Sequence, residues 1–114
     1  MRLPRRVPYS VAMEMALTAD PITAEQAFEY GLVSRLAEPG KAAETALELA
    51  ERIARNAPLA VAASKALVRE SAGRTEEEFW THQRTAAGVV FLSEDAKEGP
   101  RSFAEKRAPK WSGK

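Results

Sequence analysis

Alanine accounts for 22 of the 114 residues, which leaves only 29 larger apolar side chains with which to build an interior. Each alanine removes little area from water, so a core assembled largely from it gains little per residue. A chain of this length fits one small domain or a piece of a larger one and excludes two full domains. Even when well packed it buries about 60–70% of its unfolded surface. Faces of small side chains let partner helices approach closely but provide little energy alone. A thin core is therefore expected, with apolar helix surfaces that finish their burial against something else.

The chain has no cysteine, so a disulfide framework, a thiolate nucleophile and a cysteine-based metal site are excluded; a reducing compartment fits. No charged-then-apolar leader pattern opens the sequence. No apolar run approaches the roughly 18–20 residues needed to cross a bilayer. A cytoplasmic protein with no membrane partner is expected. The net charge of +1 is unevenly spread, at +2 over residues 1–19, −4 over 20–78, −1 over 79–96 and +4 over 97–114. The basic end sets Lys97, Arg101, Lys106, Arg107, Lys110 and Lys114 against Glu98 and Glu105. That is a small patch, unlike the long stripe of a nucleic-acid binder, and it suits a compact phosphate-bearing ligand.

Periodicity makes the chain mostly helical, with no internal repeat and no linker long enough to divide it. Val7 to Thr18 forms the first helix, stopped at Asp20-Pro21 because the residue before proline is pushed out of the α region. Thr23 and Gln26 form a capping box for a short helix closed at Gly31. Leu32 to Leu36 is the one plausible strand. Pro39 opens the longest amphipathic pattern, with Ala43, Ala46, Leu47, Ala50, Ile53 and Ala54 on one face and Glu44, Glu48, Glu51 and Arg55 toward water. After a break at Asn56 to Pro58, a helix carries Leu59, Ala62, Ala63, Ala66 and Leu67 inward and ends at Gly73. Thr75 and Glu78 make a second capping box, for a helix running through Phe79 and Trp80 to Phe91. Ser93 restarts the chain. Gly99-Pro100 is expected to separate two short helices, since glycine tolerates positive φ at a helix end and proline needs no amide partner at a helix start.

The same residues hold little local chemistry. His82 is the only histidine; with no nucleophile or second ligand nearby, it is assigned to a surface or interface. Ser64 and Lys65 are adjacent, so on a helix they diverge and form no dyad. Glu76, Glu77 and Glu78 lie in a first helical turn, where negative charge favours the macrodipole, and Glu94 and Asp95 are assigned the same role. No glycine-rich phosphate loop and no metal-ligand spacing is found, so neither catalytic nor metal-binding residues are assigned. Trp80 and Trp111 are assigned to packing.

Specific information resides in an ordered series of phrases running the length of the chain. It begins with Arg2-Leu3-Pro4-Arg5, Ala12-Met13-Glu14, Leu17-Thr18, Ile22-Thr23-Ala24-Glu25-Gln26-Ala27 and Gly31-Leu32-Val33. It continues through Ala57-Pro58-Leu59-Ala60-Val61 and Ser64-Lys65. Its last members are Ser93-Glu94-Asp95-Ala96-Lys97-Glu98-Gly99, Phe103-Ala104-Glu105-Lys106-Arg107 and Pro109-Lys110-Trp111. In this order and spacing the phrases resemble the C-terminal part of the crotonase superfamily, and most of all its bacterial enoyl-CoA hydratases.

The resemblance implies that residues 1–114 form a single C-terminal region, mainly α with at most one short strand. In the family such a region builds trimers and often hexamers, after a spiral of β-turns and helices that supplies the active site. Family hydratases add water across the 2,3-double bond of an enoyl-CoA thioester. Two glutamates hold and deprotonate the water, and two backbone amides stabilise the thioester enolate. All of those groups precede the Arg-Leu-Pro-Arg phrase, so none has a counterpart here. An acyl- or enoyl-CoA is thus implied as substrate, with no separate cofactor, a homo-oligomer as the assembly and a missing N-terminal crotonase half as a possible partner. One binding role carries over: a phenylalanine and, three residues later, a lysine contact the CoA adenine and its 3′-phosphate, and they match Phe103 and Lys106. On one helix face, a ring can stack while an ammonium meets phosphate. Upstream, where some relatives place another aromatic near the adenine, this chain has Ala86-Ala87-Gly88.

Three readings follow from the sequence: a hydratase or isomerase segment without its own chemistry, a helical assembly module for a full-length crotonase, and an unrelated nucleic-acid binder. Only the basic end speaks for the third. Acyl-chain length and the choice between hydratase and isomerase would reside in the spiral.

Overall fold

The computed structural model describes residues 2–114, and among them every regular element is helical. A 3-10 turn at Leu3–Arg5 is followed by α1 (Tyr9–Thr18), α2 (Ala24–Glu29), α3 (Ala42–Ala54), α4 (Pro58–Glu70), α5 (Glu76–Phe91) and α6 (Glu94–Ala104). The chain divides into two compact units, Met1–Leu47 and Glu48–Lys114, the division falling within α3. No helix among the described residues is long and apolar enough to cross a membrane.

In the first unit, α1 starts at Tyr9, two residues later than its periodicity predicts. Val7 precedes Pro8 and is held out of the α region; Pro8 is the N-cap, with extended ψ of 143°. The far end of α1 stops as expected, one turn short of Pro21. Ala19 turns left-handed at φ 59°, and the Asp20 amide donates to Thr18 Oγ1 at 3.2 Å. The capping box on α2 forms in full: Gln26 N–H donates to Thr23 Oγ1 and Thr23 N–H to Gln26 Oε1. Val7, Ala12 and Ala27 are the buried apolar residues among those described.

The strand expected over Leu32 to Leu36 does not form. The amides that open it are already used, because Leu32 N–H and Val33 N–H both donate to Ala27 O and Gly31 N–H to Phe28 O, with Gly31 at φ 74°. These bonds close the C-terminus of α2. No other strand among the described residues offers a partner, and an isolated strand has nothing to satisfy its backbone.

In the second unit, α4 packs on α5, and α5 on α6. Pro58 opens α4 at a position where its missing amide costs nothing. Thr75 and Glu78 make the second capping box, the Thr75 amide donating to Glu78 Oε2 at 2.8 Å. Serine 93 caps α6, its Oγ accepting from the Ala96 amide at 3.1 Å.

The break expected at Gly99-Pro100 is absent: α6 runs unbroken from Glu94 to Ala104 with Pro100 inside. Gly99 does not take a positive φ. Contacts remote in sequence hold the helix through the proline. The Trp111 ring lies against Gly99, its Cη2 3.8 Å from the place a Cβ would occupy. Asp95 and Glu98, on the turns before the proline, are tied to the chain's last residues, as described below.

The thin interior is evident in the exposed apolar side chains. Leu47, Ile53, Val68, Val89, Phe91, Leu92 and Phe103 all face solvent. On α4 the expected inward face is only partly covered: Leu59, Ala63 and Leu67 are half-buried, whereas Ala62 and Ala66 are exposed.

Candidate functional site

The two residues matched to a CoA contact lie at the end of α6, and the local backbone explains how they are presented. Phe103 is in the last turn and is 87% exposed. The helix stops at Ala104, with Glu105 as its C-cap. Lys106 therefore does not share a helix face with Phe103, as an i, i+3 spacing would predict; it stands just beyond the helix with a left-handed φ of 52°. The Lys106 amide donates to Phe103 O at 3.2 Å and the Arg107 amide to Ser102 O at 3.1 Å. This pair of bonds is a Schellman motif with lysine in the position that usually holds glycine. A left-handed L-residue costs about 1–2 kcal/mol relative to the right-handed conformation.

The offset comes from the segment beyond. Arg107 turns its guanidinium back onto Glu98, nine residues earlier, as a two-pronged ion pair whose second arm, Nη2 to Oε2, spans 2.9 Å. Its Nε donates to Glu105. The Lys110 amide donates to Glu98 Oε1 at 2.8 Å. One turn upstream, Asp95 is 3% exposed. It accepts from the Ser112 amide at 2.6 Å, the Ser112 hydroxyl at 3.1 Å and the Gly113 amide at 3.1 Å. The assignment of Asp95 to a simple helix-dipole role is therefore incomplete, since it anchors the final residues. Trp111 completes the strap by donating its indole N–H to Arg55 O, just past α3, at 2.7 Å.

The electrostatics of the basic end follow from this wiring. Lys97 pairs with Glu94 at 2.6 Å, Arg101 with Glu105 at 3.0 Å, and Arg107 with Glu98 and Glu105. Among the described residues Lys106, Lys110 and Lys114 make no such pair, so their charge is available to an anion. Hydrogen bonds from Arg107 and then from the Lys110 amide pull the Glu98 carboxyl down to about 2. The Arg107 and Arg101 guanidinium groups hold Glu105 below the usual carboxylate range as well.

A depressed carboxyl contributes stability that is complete above its unfolded value, 4.5, and is lost as pH falls through its folded value. The strap is accordingly expected to stay closed down to about pH 4.5 and to loosen between there and about pH 2. Trp111 fluorescence in Trp80→Phe checks this, and Glu98→Gln should remove that part of the acid transition.

The remaining sequence candidates are dispersed. His82 Nε2 lies 2.6 Å from Glu70 Oε2, joining α5 to α4, with Arg74 on the same carboxylate oxygen at 3.4 Å. Trp80 is half exposed, edge-on to Phe79 with ring centroids 6.1 Å apart. Nothing local in the sequence marks Asp95 and Glu98 as anchors, because their partners lie 9 to 18 residues away.

A family model described as enoyl-CoA hydratase/isomerase matches residues 1–114. The chain belongs to that family. Among curated relatives, enoyl-CoA hydratase EchA19 of Mycobacterium tuberculosis is 45% identical over 114 residues, all of this chain and 43% of the relative. Carnitinyl-CoA dehydratase of Salmonella arizonae is 39% identical over 117 residues, covering 99% of this chain and 45% of that protein. Crystal structures agree. Enoyl-CoA hydratase from M. tuberculosis H37Rv superposes with a TM-score of 0.95 at 50% identity, over 99% of this chain and 45% of its own. The Bacillus anthracis enoyl-CoA hydratase gives 0.94 at 33% identity, over 100% and 44%. The chain thus spans under half the length of these members of the enoyl-CoA hydratase/isomerase family.

Proposed function

We propose that this chain is the helical C-terminal, CoA-contacting and assembly-forming part of a cytoplasmic enoyl-CoA hydratase-type protein. When complete, such a protein hydrates 2-enoyl-CoA thioesters in fatty-acid oxidation. The observation that carries this reading is the exposed Phe103 in the last turn of α6, followed three residues later, just past the helix, by Lys106, an uncommitted cation. Phe103 offers a face for the adenine of CoA and Lys106 an ammonium for its 3′-phosphate. No separate cofactor is needed, the CoA thioester being the substrate. Titration with CoA and with dephospho-CoA tests the assignment. A charge-assisted contact contributes about 1.5–3 kcal/mol when shielded and less in water and salt, so weak binding with a several-fold preference for CoA is expected. Equal affinity for the two ligands, or a preference that survives Lys106→Ala, removes the role.

A second reading, a helical module that docks on a full-length crotonase, draws support from exposed Leu47 and Ile53 on α3, Val89 and Phe91 on α5, and Leu92. Both readings place the chain in an oligomer, a trimer or hexamer in the intact family. Sedimentation of the purified chain is expected to show association. A sharp monomer boundary with cooperative unfolding and well-dispersed amide resonances contradicts it.

A further inference from the structure

We infer that Glu98, acting through Arg107, is the positioning residue that sets the conformation of Lys106 and with it the chain's discrimination for the 3′-phosphate of CoA. This rests on the reading of Phe103 and Lys106 given above and adds the device that presents the lysine. Lys106 occupies a left-handed position that an unbranched L-residue rarely takes, and it has no side-chain partner to keep it there. Its conformation is held from the next residue. Arg107 cannot reach Glu98 unless the chain reverses at Lys106, and Glu98 receives both arms of the guanidinium fork together with the Lys110 amide. A planar two-pronged pair fixes direction as well as distance. The Glu98 side chain is 16% exposed and that of Arg107 32%, so water competes weakly for the fork. Once Glu98 is gone, the segment after Ala104 is free to continue in right-handed or extended conformations, and the direction in which Lys106 leaves the chain is no longer fixed.

Glu98→Ala and Glu98→Gln are compared with the wild-type chain and with Lys106→Ala by two measurements. Glu98→Gln keeps the shape and one acceptor oxygen, and serves if the alanine variant does not fold. Amide exchange at Lys106 and Arg107 reports the Schellman bonds. It should accelerate roughly tenfold or more in the Glu98 variants while amides in the middle of α6 remain protected. The ratio of CoA to dephospho-CoA affinity should fall toward that of Lys106→Ala, with dephospho-CoA affinity held. A purely structural role would weaken both ligands alike. Unchanged exchange at the two amides, or a CoA preference retained after they open, overturns the inference. A wild-type chain with no preference for CoA overturns the underlying site reading instead, and is distinguished because it appears before any Glu98 variant is made.

Discussion

The purified 114-residue chain is expected to hydrate crotonyl-CoA no faster than buffer does. Hydration needs a base to take a proton from water and fixed donors where enolate charge develops. The base contributes on the order of 10² to 10⁴ in rate and each fixed donor about 10² to 10³. Several carboxylates of this chain are occupied with structural tasks. Glu78 accepts the Thr75 amide, Glu70 holds His82 and Arg74, Asp95 holds Ser112 and Gly113, and Glu98 with Glu105 holds Arg107. The motifs that supply the glutamate pair and the oxyanion hole in resembling hydratases have no match among these residues. Following the enoyl-thioester absorbance checks the expectation. Turnover that disappears on substitution of one glutamate within the chain contradicts it, because the activity would then map to this chain.

Asp95→Ala is expected to destabilise the second unit by about 3 kcal/mol, since hydrogen bonds to a charged group are worth about 1.5–3 kcal/mol each and buried donors left unpaired add to the loss. The carboxylate is 3% exposed and receives two backbone amides and a hydroxyl from Ser112 and Gly113. Its removal frees the strap and exposes the Trp111 contact with Arg55 O. Against a total stability of about 5–15 kcal/mol for a domain, that is a large share. In urea the midpoint should fall with Trp111 reporting the transition. Asp95→Asn, which keeps one acceptor oxygen, should lose less. Equal stability for wild type and Asp95→Ala would mean the strap carries no weight in the fold.

Much of the helical layout is legible from neighbours three or four residues apart. Thr23 with Gln26, Thr75 with Glu78, and Ser93 before Glu94-Asp95 mark helix starts because a cap is satisfied within one turn. Gly31 marks an end for the same reason, as the position needs a positive φ. Two local signals mislead. Leu32 to Leu36 has the apolar content of a strand, but its first amides are spent on Ala27 O. Gly99-Pro100 has the form of a helix boundary, yet α6 passes through it.

The sequence by itself determined the helical class, the caps, the thin alanine-rich interior and, through ordered phrases, the family; that Phe103 and Lys106 act as a pair is what the family resemblance implies. Only the tertiary structure decided how that pair is presented. Helix periodicity puts the two on one face, whereas the chain leaves the helix at Glu105 and turns left-handed at Lys106. The cause is a set of contacts reaching from Asp95 and Glu98 to partners 9 to 18 residues later. A cap is read locally because both partners lie in one helical turn. An anchor that exists only after the chain has reversed cannot be read from residue spacing, because the reversal and the anchor stabilise each other.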